Sequence, residues 1–149
     1  MRTYLSLLLV TTVVFHVNAQ DQKEERLVLN LTENFFAALE KQDTLAFRNM
    51  FVDNGYLYAV RAMTDSVMVR SQRPDKFHFR AGQILKERMR NASTSVKIDG
   101  RIAMVWAPYD LWVNDTFSHC GVDVFTWLKT SAGWKIASIA YTMETKGCK

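Results

Sequence analysis

The most informative part of the chain runs from Arg101 to Lys129 and reads RIAMVWAPYDLWVNDTFSHCGVDVFTWLK. It contains two long runs rich in β-branched and aromatic residues, which favour extended strands. Between the runs lies Asn114-Asp115, a pair that tolerates the positive φ angles of a two-residue hairpin turn. The sequence therefore predicts two long antiparallel strands, over residues 101–113 and 116–129.

Residues on either side extend this hairpin to a four-stranded antiparallel meander. Asp99-Gly100 before it is a strong turn signal, because both central residues of a type I′ turn need a positive φ angle. A further turn is predicted at residues 130–133. The outer strands of the meander are then residues 95–98 and 134–144.

The chain begins with helical patterns. Leu27, Leu31 and Phe35 recur at a spacing of four residues and predict an amphipathic helix over residues 21–41. Asp43 is a suitable N-cap for a second, shorter helix that ends near Gly55. Both helices carry one apolar side, so we expect both to pack on a sheet.

A hairpin and a third helix are predicted between these helices and the meander. Residues 56–62 and 66–70 have the composition of strands on either side of a tight turn. Arg73-Pro74-Asp75 then predicts the start of a helix that ends near residue 91, since proline suits the first turn of a helix. The whole order predicts an α+β fold, in which three N-terminal helices and a β-hairpin pack on a strongly curved, mainly antiparallel sheet.

The first segment, residues 1–19, is typical of a secretory signal peptide. A short cationic start precedes an apolar run, and Val17-Asn18-Ala19 supplies small residues at the cleavage position. A membrane anchor is the alternative, but it would need roughly 20 apolar residues and this run is shorter. We therefore expect a secreted or periplasmic protein without a membrane span after cleavage, with a single domain over residues 20–149.

The composition excludes several classes of protein. The chain has 149 residues, of which 48% are hydrophobic and 23% charged, so it suits a globular domain and not a disordered segment. Its formal net charge is +4, but the basic residues are scattered among acids, and we predict no nucleic-acid site. Because no metal-ligand or nucleophile motif occurs, we also predict no metal and no cofactor.

Cys120 and Cys148 are the two cysteines of the chain. In an exported protein such an even pair suggests a disulfide. The bridge would close a loop of about 28 residues, for which loop-closure entropy predicts a stabilisation of roughly 3 to 4 kcal/mol. The alternative is two separate thiols, one of them buried.

Asp110 and His119 are the candidate pair for acid–base chemistry. If Asn114-Asp115 is a two-residue turn, the strand register places Asp110 directly opposite His119. A neighbouring carboxylate favours the imidazolium or fixes one ring tautomer, so His119 becomes a usable general acid or base near neutral pH. The alternative is an exposed ion pair at the sheet rim, which contributes little. Farther along the strand, Pro108 predicts a β-bulge.

His119 shares one predicted sheet face with Asp123 and several aromatic residues. We expect this face to line a pocket, because buried charge among aromatic groups needs a ligand, water or partner. The alternatives are that Asp123 accepts structural hydrogen bonds and that the aromatic residues fill a core. Arg61 and Arg70, on the first hairpin, either clamp an anion or face water. The residues assigned to the ligand are Trp106, Trp112, Phe117, Phe125 and Trp127, with Tyr58 and Tyr109 as hydroxyl donors.

The element order resembles that of the nuclear transport factor 2-like (cystatin-like α+β cone) superfamily over essentially the whole mature chain. Several motifs are similar to its exported branch, labelled putative lumazine-binding. The resemblance implies a conical pocket and, commonly, a homodimer formed through the sheet. It does not select a function, because relatives include isomerases, cyclases, hydrolases, dehydratases and binding modules. The motifs are residues 98–110 (IDGRIAMVWAPYD), residues 118–125 (SHCGVDVF), Gly133-Trp134-Lys135-Ile136 and Gly147-Cys148.

Three functions are compatible with these observations. The first is an exported domain that holds a small, partly apolar or aromatic molecule in a conical pocket. The second is a cofactor-free enzyme of the isomerase, dehydratase or hydrolase type, in which His119 and Asp110 act as the acid–base pair and Asp123 stabilises charge. The third is a non-catalytic interaction module that forms a homodimer through its sheet.

Overall fold

The fold consists of one long helix, one short helix and a seven-stranded sheet. The computed structural model describes the backbone of residues 5–148 and the side chains of residues 20–148. The helices are α1 (Leu5–Glu40) and α2 (Thr44–Asn49), with short 3-10 turns at Pro74–Lys76 and Asn91–Ser93. The strands are β1 (Phe51–Ala62), β2 (Val67–Gln72), β3 (Leu85–Met89), β4 (Ser95–Asp99), β5 (Ile102–Val113), β6 (Thr116–Thr130) and β7 (Gly133–Met143).

The sheet has the order β2-β1-β7-β6-β5-β3, and β4 pairs with the same edge of β5 as β3 does. Strands β1 and β7 are parallel, and every other pair is antiparallel. Asn114 and Asp115 have φ angles of 49° and 62°, as the predicted turn between β5 and β6 requires. The α+β class and the C-terminal meander predicted from the sequence are therefore confirmed.

Helix α1 covers the inner face of the curved sheet and packs mainly against β3, β4 and β5. Its apolar side buries Val28, Phe35 and Leu39, whereas Leu27, which the four-residue spacing placed on this side, is 44% exposed. Asp43 caps α2, since its carboxylate accepts a hydrogen bond of 2.9 Å from the backbone nitrogen of Ala46. These helices close one end of the cone with a buried apolar core.

The predicted third helix is wrong, because a loop and a strand occupy its place and α1 is the one main helix of the described residues. After the 3-10 turn at Pro74–Lys76, the chain forms a loop and then strand β3. Gly82 has a φ angle of 73°, which interrupts any helix through this segment. Leu85, Glu87 and Met89 alternate towards the inner face as β3 pairs with β5, so a short run that also fits helical spacing is a strand.

The predicted pairing of Asp110 with His119 is also wrong, because the register of β5 and β6 shifts between Leu111 and Trp112. Trp112 lies opposite Phe117 and Leu111 lies opposite His119, so one extra residue, Ser118, is accommodated in β6. This irregularity replaces the predicted bulge at Pro108, which pairs in register. One inserted residue reverses which side chains of the two strands share a face.

The C-terminal tail is joined to the sheet by a disulfide between Cys120 and Cys148, whose Cα atoms are 5.7 Å apart. Next to it, the backbone groups of Cys120 and Glu144 exchange two hydrogen bonds of 3.0 and 2.8 Å. The bridge therefore fixes the end of the chain against β6.

Part of the predicted signal peptide lies outside the described residues, namely residues 1–4; the backbone of residues 5–19 forms the start of α1. Within the described part of the chain, no helix is both long enough and apolar enough to cross a membrane. The signal peptide remains a prediction from the sequence.

Candidate functional site

An open cavity of about 360 Å³ lies between the inner face of the sheet, helix α1 and the loop that precedes β3. We call it the cone cavity. Apolar side chains form much of its wall, among them Phe35, Leu39, Leu57, Leu111 and Ile139. Ligand sites commonly combine such walls with a few polar groups, and the cone cavity has this composition.

Two acidic side chains, Glu87 and Asp123, lie in the cone cavity. Each points inwards because it occupies an inward position of its strand, Glu87 on β3 and Asp123 on β6. Only 8% of Glu87 and 3% of Asp123 is exposed. The Oδ2 atom of Asp123 is buried and has no hydrogen-bond partner among the described residues. A buried polar atom without a partner is rare in folded proteins and is often found at functional sites.

The two carboxyl groups share a proton at neutral pH. Burial raises the pKa of Asp123 well above its usual range, and the neighbouring Glu87 carboxyl raises it further. Burial also raises the pKa of Glu87 to about 7, against the opposing effect of its hydrogen bond with Asp123. We therefore assign the proton to Asp123, whose pKa is raised the more strongly. The pair can give or accept a proton at neutral pH, as acid–base chemistry requires.

Two tyrosines of the cavity wall, Tyr109 and Tyr141, remain protonated. Burial raises the pKa of each phenol, and the nearby Glu87 carboxyl raises it further. The Tyr109 hydroxyl donates a hydrogen bond of 2.7 Å to the backbone oxygen of Thr142. Gly121 makes room for this arrangement, since a Cβ atom there would lie 2.1 Å from the Thr142 oxygen and 2.8 Å from Cε1 of Tyr109.

His119 is buried at the side of the cone cavity with a neutral ring. Burial lowers its pKa, and the positive charge of Arg61 lowers it further. Its Nδ1 atom is 3.0 Å from the Ser118 hydroxyl, and its ring meets the Tyr109 ring edge to face at 5.9 Å. The hydroxyl contact orients the imidazole and leaves Nε2 as the nitrogen for exchange with a ligand.

The structure brings together three of the predicted site residues, since His119, Asp123 and Tyr109 all line the cone cavity. It does not bring Asp110 to this site. Asp110 is opposite Cys120 and forms a bidentate ion pair with Arg90. The register shift at Ser118 is the physical reason, because it turns Asp110 to the outer face of the sheet.

The other aromatic residues that were assigned to a ligand do not line the cone cavity. Phe125 and Trp127 point inwards but are fully buried in the core. Trp106 and Phe117 are 44% and 45% exposed on the outer face, and Trp112 contacts Phe117 there. Tyr58 also lies outside the cavity, where its ring stacks on Tyr56. The prediction chose the correct face of β6 from His119 to Trp127, but not at Phe117, and the wrong face of β5 except at Tyr109.

Sequence reasoning missed the acidic partner, Glu87. The helix predicted between Pro74 and residue 91 gives Glu87 no cross-strand neighbour. The alternation of Leu85, Glu87 and Met89 is the signal that would have placed this carboxyl on the inner face. Arg80 and Tyr141, which also line the cavity, were not singled out either.

Metal ligands are not clustered in this site. Among the residues whose side chains are described, no group of three or more histidine, cysteine, aspartate or glutamate residues is arranged to hold a metal ion.

Comparison with known proteins identifies the fold and the family. A family model described as "Putative lumazine-binding" matches residues 23–142. No curated protein matches the chain. Many solved structures have the same fold, including several nuclear transport factor 2-like proteins.

Three of these structures illustrate the range of relatives. An aromatic-ring-hydroxylating dioxygenase β subunit (putative) from Novosphingobium aromaticivorans has a TM-score of 0.66 at 11% identity, covering 87% of this chain and 94% of its own. A nuclear transport factor 2-like protein with a cystatin-like fold, also from Novosphingobium aromaticivorans, has a TM-score of 0.62 at 16% identity. The match covers 93% of this chain and 91% of that protein. A dehydratase (putative) of the nuclear transport factor 2-like family from Streptomyces avermitilis has a TM-score of 0.60 at 14% identity. The match covers 83% of this chain and 97% of that protein.

At these identities the structural likeness establishes the fold alone. The family match spans most of the chain and includes β1 to β6, together with the acids of the cone cavity. The chain belongs to the "Putative lumazine-binding" family, and it has the fold of solved nuclear transport factor 2-like proteins.

Proposed function

We propose that this protein binds a small, partly apolar molecule in the cone cavity. The observation that carries the proposal is the carboxyl group of Asp123, which is buried, lacks a partner for Oδ2 and borders an open hollow. Leaving a buried polar atom without a hydrogen bond costs roughly 1 to 3 kcal/mol. A ligand that bonds to this carboxyl would offset that cost.

The other groups of the cavity support the same function. Apolar walls supply affinity without direction, while the acid pair, Tyr141 and His119 provide a few directional contacts. The family description also names a small heterocyclic ligand, lumazine. We therefore expect a ligand with an apolar body and at least one hydrogen-bonding group.

A thermal-shift screen tests this proposal. Lumazine, flavin-like, steroid-like and polyketide-like compounds are added to the purified protein, and a bound compound is expected to raise the melting temperature. The shift should shrink in Asp123→Asn and Glu87→Gln. Asp110→Asn, which makes the same chemical change on the outer face, is the matched control and should keep the full shift. A panel without any shift in the wild-type protein would contradict the proposal.

A second function, acid–base catalysis without a cofactor, is favoured by the proton shared between Glu87 and Asp123. A neutral imidazole, His119, lies in the same cavity and can accept a proton from a substrate. The acid pair can donate a proton to another atom of the same substrate. The test is turnover of the compounds that bind. His119→Ala should abolish turnover while the melting temperature stays within a few degrees, and turnover that survives this change would exclude the role of His119.

Export is part of the proposal. It is supported by the signal-like residues 1–19 and by the disulfide of Cys120 and Cys148, since disulfides persist in oxidising compartments. Fractionation of the native host, followed by sequencing of the mature N-terminus, tests it. A protein recovered only from the cytosol with residues 1–19 intact would contradict export.

We also expect a homodimer formed through the outer face of the sheet, whether or not a ligand binds. Ile102, Met104 and Trp106 lie next to one another along β5 and are exposed on that face. Apolar side chains in such a row favour contact with a second copy of the chain. Light scattering of Trp106→Glu tests this, because the charge should convert a dimer into a monomer. A wild-type protein that is already monomeric at high concentration would rule the dimer out.

A further inference from the structure

Two arginines, Arg61 and Arg80, stand at the mouth of the cone cavity. Arg61 is near the end of β1, opposite Met143 of β7, and Arg80 lies in the loop before β3. Both side chains are exposed, and both line the cavity. Among the described residues, neither arginine forms an ion pair with an acid. The arginines that do have a carboxylate partner are Arg73, Arg88 and Arg90.

Charge is distributed unevenly along the cone cavity. The exposed arginines mark the mouth, while the buried Glu87 and Asp123 mark the interior and are the only acids among the lining residues. Because the acid pair keeps a proton at neutral pH, it carries less negative charge than two carboxylates. His119, which also lines the cavity, is neutral. The lining as a whole is therefore positive, and its positive charge is concentrated at the entrance.

This polarity favours one class of ligand over another. A cationic ligand would have to pass two unpaired guanidinium groups before it reached the acid pair. A ligand with an anionic group can leave that group at the mouth, where guanidinium is suited to carboxylate or phosphate oxygens. Its uncharged end can then enter the apolar part of the cavity.

We infer that the ligand is an organic anion, with its negative group between Arg61 and Arg80 and an uncharged hydroxyl or carbonyl at Glu87 and Asp123. This inference rests on the proposed function, that the cone cavity binds a ligand. The cavity volume of about 360 Å³ is at the lower end of the range for ligand sites, so a body of one or two rings fits best. Phe35, Leu57 and Ile139 provide apolar walls for such a body.

Calorimetry with a matched pair of probes tests the inference. 6-Hydroxy-2-naphthoate carries a carboxylate and a hydroxyl at opposite ends of two fused rings, and 6-hydroxy-2-naphthamide differs from it mainly in lacking the negative charge. The acid is expected to bind about tenfold more tightly than the amide at low salt, and added salt should reduce this advantage. An amide that binds as tightly as the acid would overturn the inference.

Arginine variants locate the contact. Arg61→Gln combined with Arg80→Gln should remove the roughly tenfold advantage of the acid and leave the affinity for the amide unchanged. Arg101→Gln is the matched control, because Arg101 is exposed and lies outside the cone cavity. If the control weakens acid binding as much as the double variant, the attraction is general and the inference fails. If the double variant does not fold, each single variant is compared in the same way.

The same experiments separate this inference from the proposed function. Binding of neutral compounds in the thermal-shift screen, without binding of 6-hydroxy-2-naphthoate, would overturn the anionic ligand and retain the ligand-binding function. Failure of both the neutral panel and the naphthoate would overturn both. Binding of the naphthoate with loss in the arginine double variant supports both.

Discussion

The two ends of the cone are held together by different interactions. At the closed end, Phe35, Phe47 and Phe125 are buried, and the ring of Phe35 lies 5.4 Å from that of Phe47 and 5.2 Å from that of Phe125. At the open end, the inner face carries His119 and Asp123 around a hollow. Aromatic packing thus stabilises one end, while the other has polar groups and empty space.

Strand β6 passes through both ends, so the difference arises from the residues at successive inward positions of one strand. Trp127 and Phe125 fill the core, and Asp123 and His119 face the cavity. The open end is tied by a covalent bond, the disulfide at Cys120, where the closed end relies on buried apolar area. The disulfide therefore supplies stability next to a cavity that buried apolar side chains do not fill.

The largest effect is expected when the closed end is opened. Phe125→Ala removes a fully buried ring that meets Phe35 and Phe36 edge to face. The free energy of unfolding should fall by about 3 to 5 kcal/mol, as for other large-to-small changes in cores. Urea denaturation measures the change. Phe117→Ala is the control, since that ring is 45% exposed on the outer face, and a loss there equal to that at Phe125 would contradict the comparison.

Removal of the disulfide should have the next largest effect. Replacing Cys120 and Cys148 with alanine is expected to lower the free energy of unfolding by about 3 to 4 kcal/mol, the value for a loop closed over 28 residues. Hydrogen exchange should accelerate first at the amides of Cys120 and Glu144, which bond to each other's carbonyl groups. Equal acceleration at Phe125, in the closed end, would show that the bridge does not act locally.

The smallest effect is a dependence of stability on pH that originates at the open end. Glu87 and Asp123 have raised pKa values in the folded protein, so the folded state binds more protons than the unfolded state above about pH 4. Their contribution to stability is complete below the unfolded pKa and is lost as the pH rises through the folded pKa of Glu87, about 7. Between pH 5 and pH 7 Glu87 alone should account for a loss of roughly 2 kcal/mol, and Asp123 adds to this loss because it also keeps a proton only in the folded state.

The double variant Glu87→Gln, Asp123→Asn isolates this effect, because His119, whose lowered pKa acts in the opposite sense, is present in both proteins. Urea midpoints at pH 5, 6 and 7 are compared between the variant and the wild type. The stability advantage of the wild type over the variant should diminish by at least roughly 2 kcal/mol between pH 5 and pH 7. Asp110→Asn, at a partly exposed ion pair, should change stability by less than about 1 kcal/mol. A constant difference across the three pH values would exclude a shared proton in the cavity.

Much of the fold could be predicted because its signals are local. The turns at Asn114-Asp115 and Gly100 depend on residues that accept a positive φ angle, and the structure has positive φ angles at all three. The long strands on either side have the composition that strands favour. Residues 73–91 were misassigned since five residues, Leu85 to Met89, are too few to distinguish the period of a strand from that of a helix.

The candidate site was predicted only in part, for a reason that concerns register. His119 and Asp123 were placed on the inner face, and the structure has them there. Asp110 and Trp106 were placed with them, yet the extra residue Ser118 turns both to the outer face. A bulge depends on how two strands fit a curved sheet, and neither strand shows it in its own composition.

The sequence by itself determined the α+β class and the hairpin turns, and it placed Asp123 and His119 on one face of β6. The tertiary structure alone decided that the partner of Asp123 is Glu87, from a strand distant in sequence, and that Arg61 and Arg80 share one entrance. Local preferences specify turns and strands, because they act between neighbours along the chain. A site that is assembled across a bulged and curved sheet depends on pairing between strands that are distant in sequence. The residue pattern of each strand does not reveal that pairing.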